Sequence, residues 1–387
     1  MTGPLRVFIL AGEPSGDNLG GALMAGLRAE GGQIDFQGIG GARMQAEGLE
    51  SLFDMSELSV MGLAEILPKY RHLKRRIAET AEAVIAMQPD VLITIDSPDF
   101  SLRVAKLVKA RSAIRTVHYV APTVWAWRPK RAEKMARHID QVLALFPFEP
   151  PYMERAGMRC DFVGHPVVSE PVASDAQAQA FRDSHGIGDA PMLLVLPGSR
   201  RSEVSRLGAP FGDAVARVVA QRPDIRVVVP AAAHVAVEVA ALVRDWPGSP
   251  VVIDPTDGHS ADDKRAAFRA ADVALAASGT VSLELAAAQT PMVIAYDMNW
   301  LSRLIIGRML LVDTVTLVNL VSDTRAVPEF IGAECAGPLI AKGLQAVLDA
   351  PDAQRAAMAT TLERLGQGGD PPGLRAARAV LDGLGRG

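Results

Sequence analysis

The chain has 387 residues, more than one compact core usually serves, so we expect two domains. Apolar residues make up 49% and charged residues 22%, as in an ordinary soluble globular protein, and the net charge of −4 gives no reason to expect a nucleic-acid partner. Two cysteines, Cys160 and Cys335, are too few for a disulfide framework and neither belongs to a CxxC pair.

Short apolar or β-branched runs alternate with helical patterns along the chain. This alternation is typical of parallel, doubly wound sheets, so we predict an α/β fold. We place one domain at 1–165 and a second at 191–348, with a linker at 166–190 and a helical tail at 349–387 that is expected to pack back on the first domain. The predicted strands are Arg6–Leu10, Val91–Ile95, Arg115–Val120, Gln141–Leu145, Met192–Leu196, Arg226–Val229, Val251–Ile253, Val273–Ala276 and Pro291–Ala295.

The first apolar run, Val7–Ala11, is too short for the core of a signal peptide and is predicted as a strand. No uninterrupted apolar stretch approaches the length of a membrane span. We therefore expect a cytosolic protein with reduced cysteines, and association with a membrane surface stays open.

The loop after the first strand reads Gly12-Glu-Pro-Ser-Gly-Asp17. Gly12 and Gly16 allow a tight turn and a close approach of substrate to the backbone, with Ser15 and Asp17 as polar groups beside it. Open parallel sheets bind ligands at the carboxyl ends of their strands, where this loop is expected. The alternative is an ordinary loop in which Asp17 caps the helix.

The segment Ser56–Arg76 joins an apolar stretch, Leu58–Pro68, to a basic cluster. Apolar residues beside cations suit docking on an anionic bilayer. An amphipathic helix packed on its own domain explains the pattern equally well. The cations are Lys69, Arg71, Lys74, Arg75 and Arg76.

Three carboxylates surround one predicted strand. Asp90 precedes Val91–Ile95, whereas Asp96 and Asp99 follow it. A carboxylate on that loop could deprotonate an attacking hydroxyl if its pKa rises above the usual value of about 4. The alternative assigns Asp96 and Asp99 to the turn and to helix capping.

Trp125 and Trp127 stand beside a basic triplet that includes Arg128. Flat apolar surface next to cations suits an anionic ligand, although buried indoles in a structural loop are the alternative.

Two further turns follow predicted strands in the second half. Leu196-Pro-Gly-Ser-Arg-Arg201 carries Arg200, which can grip a phosphate bidentately. Ser278-Gly-Thr280 opens a helix, whose first N–H groups would suit a diphosphate, and Glu284 could then reach a ribose. The alternatives are a solvated arginine pair and an ordinary capped helix.

Neither a metal nor a redox cofactor is indicated by the motifs. The chain has no Asp-x-Asp and no His/Cys ligand cluster. Gly38-Ile-Gly-Gly41 is followed by Arg43 where a dinucleotide fingerprint has glycine, so it is weak evidence for NAD.

With these motifs together, the chain resembles lipid-A-disaccharide synthases almost from end to end. The resemblance rests on AGEPSGD, GIGGARMQAEGLESLFDMSELSVMGLAEILP, DSPDF, VAPTVWAWRPKR, FVGHP, LPGSRRSEV, ASGTVSLELAAAQTPMVIAY and LVNLVSDTRAVPEF. It implies a GT-B fold, with two Rossmann-like domains facing a central cleft. It also implies an inverting transfer, without a metal, from UDP-2,3-diacylglucosamine to 2,3-diacylglucosamine 1-phosphate (lipid X).

The resemblance also implies roles for particular residues. Asp99 matches the family's proposed base, and Asp90 matches another important acidic position. The positions that match the UDP side are Arg200, Ser278, Gly279, Thr280, Glu284 and Asn319.

The same resemblance implies a peripheral enzyme at the anionic inner face of the cytoplasmic membrane, and a homodimer stays open. Two other functions remain as alternatives at this stage. One is an isomerase resembling UDP-N-acetylglucosamine 2-epimerase, and the other is a membrane-surface binding protein without turnover.

Overall fold

The structure is a computed structural model that describes residues 3–58, 63–258, 260–298 and 311–386, with only the backbone given for 63–70. The chain forms two compact units. Unit 1 comprises the residues up to Ser169 and those from Leu365 onward, and unit 2 comprises Glu170–Arg364.

Unit 1 is built on a seven-stranded sheet in the order β3-β2-β1-β4-β5-β6-β7, and its strands pair in parallel. Its central strands are apolar and buried on both faces, as a sheet covered by helices requires. The strands are β1 Leu5–Ala11, β2 Ile34–Ile39, β3 Glu50–Ser51, β4 Val91–Ile95, β5 Arg115–Tyr119, β6 Gln141–Ala144 and β7 Arg159–Phe162. The helices are α1 Pro14–Gly31, α2 Ala42–Ala46, α3 Leu63–Met87, α4 Pro98–Lys109, α5 Lys130–Met135, α6 Pro150–Glu154 and, from the tail, α15 Pro372–Gly383.

The C-terminal helix α15 packs directly on α1. A Cβ on Gly26 would lie 2.6 Å from the carbonyl oxygen of Gly373, and a Cβ on Gly373 would lie 2.5 Å from that of Ala22. Glycine at both positions lets the two backbones approach closely. Arg375 also donates a hydrogen bond to the carbonyl oxygen of Phe162 at 3.0 Å, which ties the tail to the end of β7.

Unit 2 is built on a six-stranded parallel sheet in the order β10-β9-β8-β11-β12-β13. The strands are β8 Met192–Leu196, β9 Arg226–Pro230, β10 Val251–Ile253, β11 Val273–Ala276, β12 Met292–Tyr296 and β13 Glu329–Ile331. The helices are α7 Asp175–Ser184, α8 Arg201–Gln221, α9 Ala236–Val243, α10 Ala261–Ala270, α11 Val281–Ala287, α12 Leu317–Ser322, α13 Gly337–Asp349 and α14 Asp352–Arg364.

The unit boundaries differ from the predicted ones in the tail. Helix α14 stays with unit 2, because Gln354 exchanges two hydrogen bonds with the backbone of Met292 at 2.8 and 2.9 Å. Thr361 also donates to the carbonyl oxygen of Val318 at 3.2 Å. Of the tail, only the residues from Leu365 onward belong to unit 1. The sequence pattern of α14 by itself does not show that this helix packs on unit 2.

Each sheet has one point at which the chain changes its direction of winding. In unit 1 the point lies between β1 and β4, and in unit 2 it lies between β8 and β11. The loops that leave such neighbouring strands diverge to opposite faces of the sheet and open a crevice at the carboxyl edge. Ligand sites are therefore expected at these two places.

Candidate functional site

The loops after β1 and β4 touch at the switch point of unit 1. A Cβ on Gly12 would lie 2.7 Å from the Oγ atom of Ser97, so only glycine lets the two loops approach so closely. Gly16 packs inside the first turn of α1, where its Cβ would lie 3.3 Å from that of Ala11, and Ser15 is exposed beside it. The first loop thus presents its polar surface at the carboxyl edge, as predicted.

Asp17 is buried and has a structural role, and its predicted part in binding stays a prediction. Its carboxylate accepts hydrogen bonds from the N–H groups of Gly41, Arg43 and Met44 at 2.8, 2.9 and 3.1 Å. It therefore caps the first turn of α2 from a distant point in the sequence and holds the loop after β2.

The backbone of the loop after β4 is strained at two successive residues. Asp96 and Ser97 both have positive φ, of 47° and 43°, and helix α4 then begins at Pro98. Burial raises the pKa of the Asp96 carboxyl. Such strain persists only where the surrounding structure imposes it, and it is concentrated at functional sites.

Asp99 lies in the first turn of α4, at the carboxyl edge of the sheet. Its side chain is 96% exposed, and the nearest guanidinium, of Arg103, lies 3.8 Å away. The carboxylate is therefore accessible to a ligand from solvent.

Asp90 lies at the opposite edge of the sheet, which corrects the expectation of two catalytic carboxylates around one strand. It accepts a hydrogen bond from the N–H of Arg6 at 2.8 Å, and a guanidinium nitrogen of Arg386 lies 3.9 Å away. The five residues of β4 lie between Asp90 and Asp96, so six steps of about 3.3 Å separate their Cα atoms by roughly 20 Å. Asp90 thus joins β1 and the C-terminal tail to the sheet, and it does not share a site with Asp99.

The tryptophan loop after β5 combines a buried and an exposed part. Trp125 is buried and packs edge-on against Phe148 at 5.1 Å. Trp127 donates from its indole to Thr123 at 3.1 Å, and the guanidinium carbon of Arg128 lies 4.3 Å from the Trp127 ring centre. Arg128 is exposed, so its stacked guanidinium remains accessible to an anion.

Glu149 is a buried carboxyl in the loop after β6, and the sequence analysis missed it. It accepts hydrogen bonds from the N–H groups of Leu145 and Phe146, both at 3.0 Å, and so closes that loop. Burial raises its pKa to about 8.

In unit 2 the two predicted turns lie side by side. The N–H of Ala277 donates to the carbonyl oxygen of Leu196 at 3.0 Å, which extends the pairing of β11 with β8 up to both turns. In the second turn Gly279 and Thr280 are exposed, and nothing lies within 4 Å of a Cβ built on Gly279. The Ser278-Gly-Thr280 turn is therefore open for a ligand to approach.

Glu284 stands in α11 behind this turn and is partly exposed. Its carboxylate forms an ion pair with the ammonium group of Lys264 at 2.7 Å. A ribose placed on the turn would have to share or displace that contact.

The Leu196–Arg201 turn differs from the expected anion site because its own chain supplies the anion. The carboxylate of Glu203 accepts hydrogen bonds from the N–H groups of Ser199 and Arg200 at 3.1 and 3.3 Å. Gly198 has a φ of 112°, and its Cβ would lie 2.6 Å from Glu203. The N–H groups of Ser199 and Arg200 are thus already paired with Glu203, and the guanidinium of Arg200, with its side chain 76% exposed, is accessible to a phosphate. Glutamate three residues after the start of a helix is the signal that could have predicted this.

Asn319 is buried and braces a loop, and its predicted contact with the donor stays a prediction. Its amide donates to Thr314 at 3.2 Å and to the carbonyl oxygen of Val327 at 2.9 Å, and its oxygen accepts from the N–H of Val327 at 3.0 Å. Nearby, Glu329 accepts from the N–H of Val315 at 3.0 Å. These bonds hold the segment before β13 and occupy both ends of the Asn319 amide.

The basic part of α3 is partly neutralised inside unit 1. Arg76 pairs with Glu57 and Glu79 at 2.8 and 2.9 Å, and its guanidinium carbon lies 4.3 Å from the ring centre of Phe53. Arg71 and Lys74, by contrast, are exposed. Val60 and Met61 of the predicted lipid-contacting stretch lie outside the described residues, and Leu63, Ile66, Leu67, Pro68 and Lys69 are described only as helical backbone.

Within the described ranges, no helix combines the length and apolarity needed to cross a bilayer. In the same part of the chain, no three His, Cys, Asp or Glu side chains converge into a metal-binding group.

Comparison with known proteins decides the family. A model of the family described as Lipid-A-disaccharide synthetase matches residues 7–369. The lipid-A-disaccharide synthase of Ruegeria pomeroyi is 67% identical over 383 residues, covering 98% of this chain and 96% of that protein. The lipid-A-disaccharide synthase of Rhodospirillum centenum is 47% identical over 385 residues, covering 98% and 94%.

The chain belongs to the lipid-A-disaccharide synthase family. It is therefore a glycosyltransferase of lipid A biosynthesis, with a sugar-nucleotide donor and a lipid acceptor, and the predicted family membership is confirmed.

Similar solved structures establish the fold class. A UDP-GlcNAc 2-epimerase from Neisseria meningitidis, bound to UDP-GlcNAc, superposes with a TM-score of 0.66 at 12% identity, covering 99% of each chain. A putative UDP-N-acetylglucosamine 2-epimerase from Listeria monocytogenes gives 0.64 at 15% identity, covering 99% of this chain and 96% of that one. At such identity the likeness concerns the fold alone, and it confirms the predicted α/β, GT-B class.

Proposed function

We propose that the enzyme joins UDP-2,3-diacylglucosamine to 2,3-diacylglucosamine 1-phosphate, releasing UDP and the β-1,6-linked lipid A disaccharide 1-phosphate. The observation that carries the proposal is the 67% identity to a lipid-A-disaccharide synthase over nearly the whole chain. The α-linked donor and β-linked product require inversion at the anomeric carbon, which a single in-line displacement accomplishes.

The acceptor is proposed to bind at the switch point of unit 1. The attacking sugar hydroxyl must lose its proton to a carboxylate at that edge of the sheet, where Asp99 is exposed to solvent and is proposed to take part in the proton transfer. The loop with Gly12, Ser15 and Gly16, which touches the loop after β4, is proposed to contact the acceptor, and the exposed Arg128 is proposed to supply a cation for the acceptor phosphate. Asp90 stabilises the fold in this proposal and takes no part in the chemistry.

The UDP part of the donor is proposed to bind at the switch point of unit 2. The open Ser278-Gly-Thr280 turn receives the diphosphate, with the guanidinium of Arg200 beside it, and Glu284 holds the ribose. These groups can stabilise the charge that develops on the departing diphosphate, so the reaction is proposed to need no metal.

Both substrates carry acyl chains, so the enzyme is proposed to act at the anionic inner face of the cytoplasmic membrane. Exposed cations on α3, Arg71 and Lys74, support this proposal because each cation near an anionic surface contributes about 1 kcal/mol of attraction.

The test supplies the purified protein with both acylated substrates and measures UDP and disaccharide by mass spectrometry. We expect equal amounts of the two products, with turnover unchanged by EDTA. The protein is also given UDP-N-acetylglucosamine alone. Epimerisation of that sugar without disaccharide formation would replace the proposal by the isomerase, and loss of turnover in EDTA restored by magnesium would overturn metal independence.

A further inference from the structure

Asp96 occupies the centre of the carboxyl edge in unit 1. It follows β4 directly, and its N–H donates to the carbonyl oxygen of Tyr119, the last residue of β5, at 3.0 Å. The next residue, Ser97, is the one whose hydroxyl lies against Gly12 of the loop after β1. Asp96 is therefore held between the loops of both neighbouring strands, at the switch point itself.

The backbone around Asp96 is more strained than a simple turn requires. Asp96 and Ser97 have φ of 47° and 43°, and Val120, which follows β5, has a φ of 83°. Aspartate tolerates this region, whereas a β-branched valine there is a genuine outlier. Three such residues on two adjacent loops indicate that a particular side-chain placement is being enforced at this edge.

The environment of the carboxyl differs from that of Asp99. Asp96 is partly buried, and among the ion pairs of the described residues none involves it. The N–H of Ser97 donates a hydrogen bond to the carboxyl, and burial outweighs that bond, so the pKa of Asp96 is raised. A carboxylate with a raised pKa is a stronger base than one fully exposed to water.

We propose that Asp96 is a second catalytic carboxylate of the acceptor site and receives the proton of the attacking sugar hydroxyl. The inference rests on the proposed glycosyl transfer. As the hydroxyl oxygen bonds to the anomeric carbon, its O–H bond breaks and the proton moves to the Asp96 carboxylate. The bond from the anomeric carbon to the diphosphate oxygen breaks at the same time, and UDP leaves with that electron pair. The proton then passes from Asp96 to the exposed Asp99 and from Asp99 to water, so both groups return to carboxylates.

Two variants at this position separate chemistry from backbone conformation. Asp96→Asn keeps the shape and the tolerance of positive φ, and Asp96→Gly relieves the strain entirely; both remove the base. We expect kcat to fall about 100-fold or more in both, with the KM for the acceptor changed less than about threefold. Asp35→Asn, which removes an exposed carboxylate from β2, is the matched control and should keep full turnover.

The contrary results are equally definite. Turnover of Asp96→Asn within about threefold of the unsubstituted protein, or recovery in Asp96→Gly of activity lost in Asp96→Asn, would assign Asp96 to the turn alone. If circular dichroism shows that both variants are unfolded, Asp96 is likewise assigned to the turn and not to the chemistry. Failure of the unsubstituted protein to form disaccharide would instead overturn the proposed function, so the two outcomes are distinguishable.

Discussion

The carboxylate of Glu203 holds both the backbone and the side chain of Arg200. It accepts from the Arg200 N–H at 3.3 Å and from its guanidinium at 3.1 Å, while the Glu203 side chain is only 13% exposed. A buried anion beneath an exposed guanidinium fixes the direction in which the cation points. We therefore expect the guanidinium of Arg200, and not the paired N–H groups of Ser199 and Arg200, to be the group of this turn that meets a phosphate.

Arg200→Ala should weaken UDP binding measured by calorimetry. A charge-assisted hydrogen bond contributes roughly 1.5–3 kcal/mol, or about a 10- to 100-fold change in Kd. Arg201→Ala is the matched control, because Arg201 is also 76% exposed but pairs with Glu238 at 2.8 Å. Glu203→Gln should shift the affinity in the same direction by a smaller factor. Equal UDP affinity in the Arg200 and Arg201 variants would remove Arg200 from the donor site.

Glu284→Gln should weaken the binding of UDP but not that of 2′,3′-dideoxy-UDP. The carboxylate is proposed to accept hydrogen bonds from the ribose hydroxyl pair, which the dideoxy analogue lacks. Lys264→Met tests the existing ion pair. Because the pair is partly exposed and contributes about 0–1 kcal/mol, we expect the Kd for UDP to change by at most about fivefold. If both nucleotides lose affinity equally in the Glu284 variant, the ribose does not lie there.

Asp99→Asn should lower turnover about 10²- to 10⁴-fold with little effect on thermal stability. The carboxylate is 96% exposed, so its replacement removes no buried contact. Turnover with saturating substrates and the melting temperature are measured on the same preparation. Near-normal turnover would remove Asp99 from the reaction.

Glu149→Gln should abolish a decline of the free energy of unfolding between about pH 4.5 and pH 8. Burial raises the folded-state pKa of Glu149 from 4.5 to about 8, so the contribution of this carboxyl is fully present below pH 4.5 and is lost as pH rises towards 8. His118 and His165, whose pKa values burial lowers to about 4, contribute stability that is lost only as pH falls below 6.5. The free energy of unfolding, measured with urea at pH 6.5 and 8.5, should therefore be lower at pH 8.5 in the unsubstituted protein and equal at both pH values in the variant. Parallel declines in both proteins would show that Glu149 is ionised at neutral pH.

Replacing Arg71 and Lys74 together by Gln should reduce sedimentation with anionic vesicles, most strongly at low salt. Both side chains are exposed, so the fold should be retained. Arg76→Gln should instead lower stability, because Arg76 pairs with Glu57 and packs on Phe53. Arg217→Gln with Lys342→Gln, a pair of exposed cations in unit 2, is the control. Unchanged vesicle binding in the α3 variant would move the membrane-binding surface elsewhere.

The repetition of buried strands and helices was sufficient to predict two parallel α/β sheets, because period and apolarity are local properties of the chain. The same holds for the loops that follow β1, β4, β8 and β11, since glycine and proline mark turns wherever the chain folds. Family motifs then supplied the reaction, which local patterns alone left open between a transferase, an isomerase and a binding protein.

Tertiary structure alone decided what the polar side chains in these motifs do. Asp17 and Asn319 stand in motifs that suggest ligands, yet Asp17 accepts from backbone N–H groups of the distant loop after β2, and Asn319 is paired with Thr314 and Val327. Asp90 and Asp99 are nine residues apart in sequence, but a strand places them at opposite edges of the sheet. A buried N–H group left without an acceptor is costly, so polar side chains are recruited to pair with such groups. Which N–H groups need a partner depends on the segments that folding brings together, and the spacing of residues along the chain does not determine it.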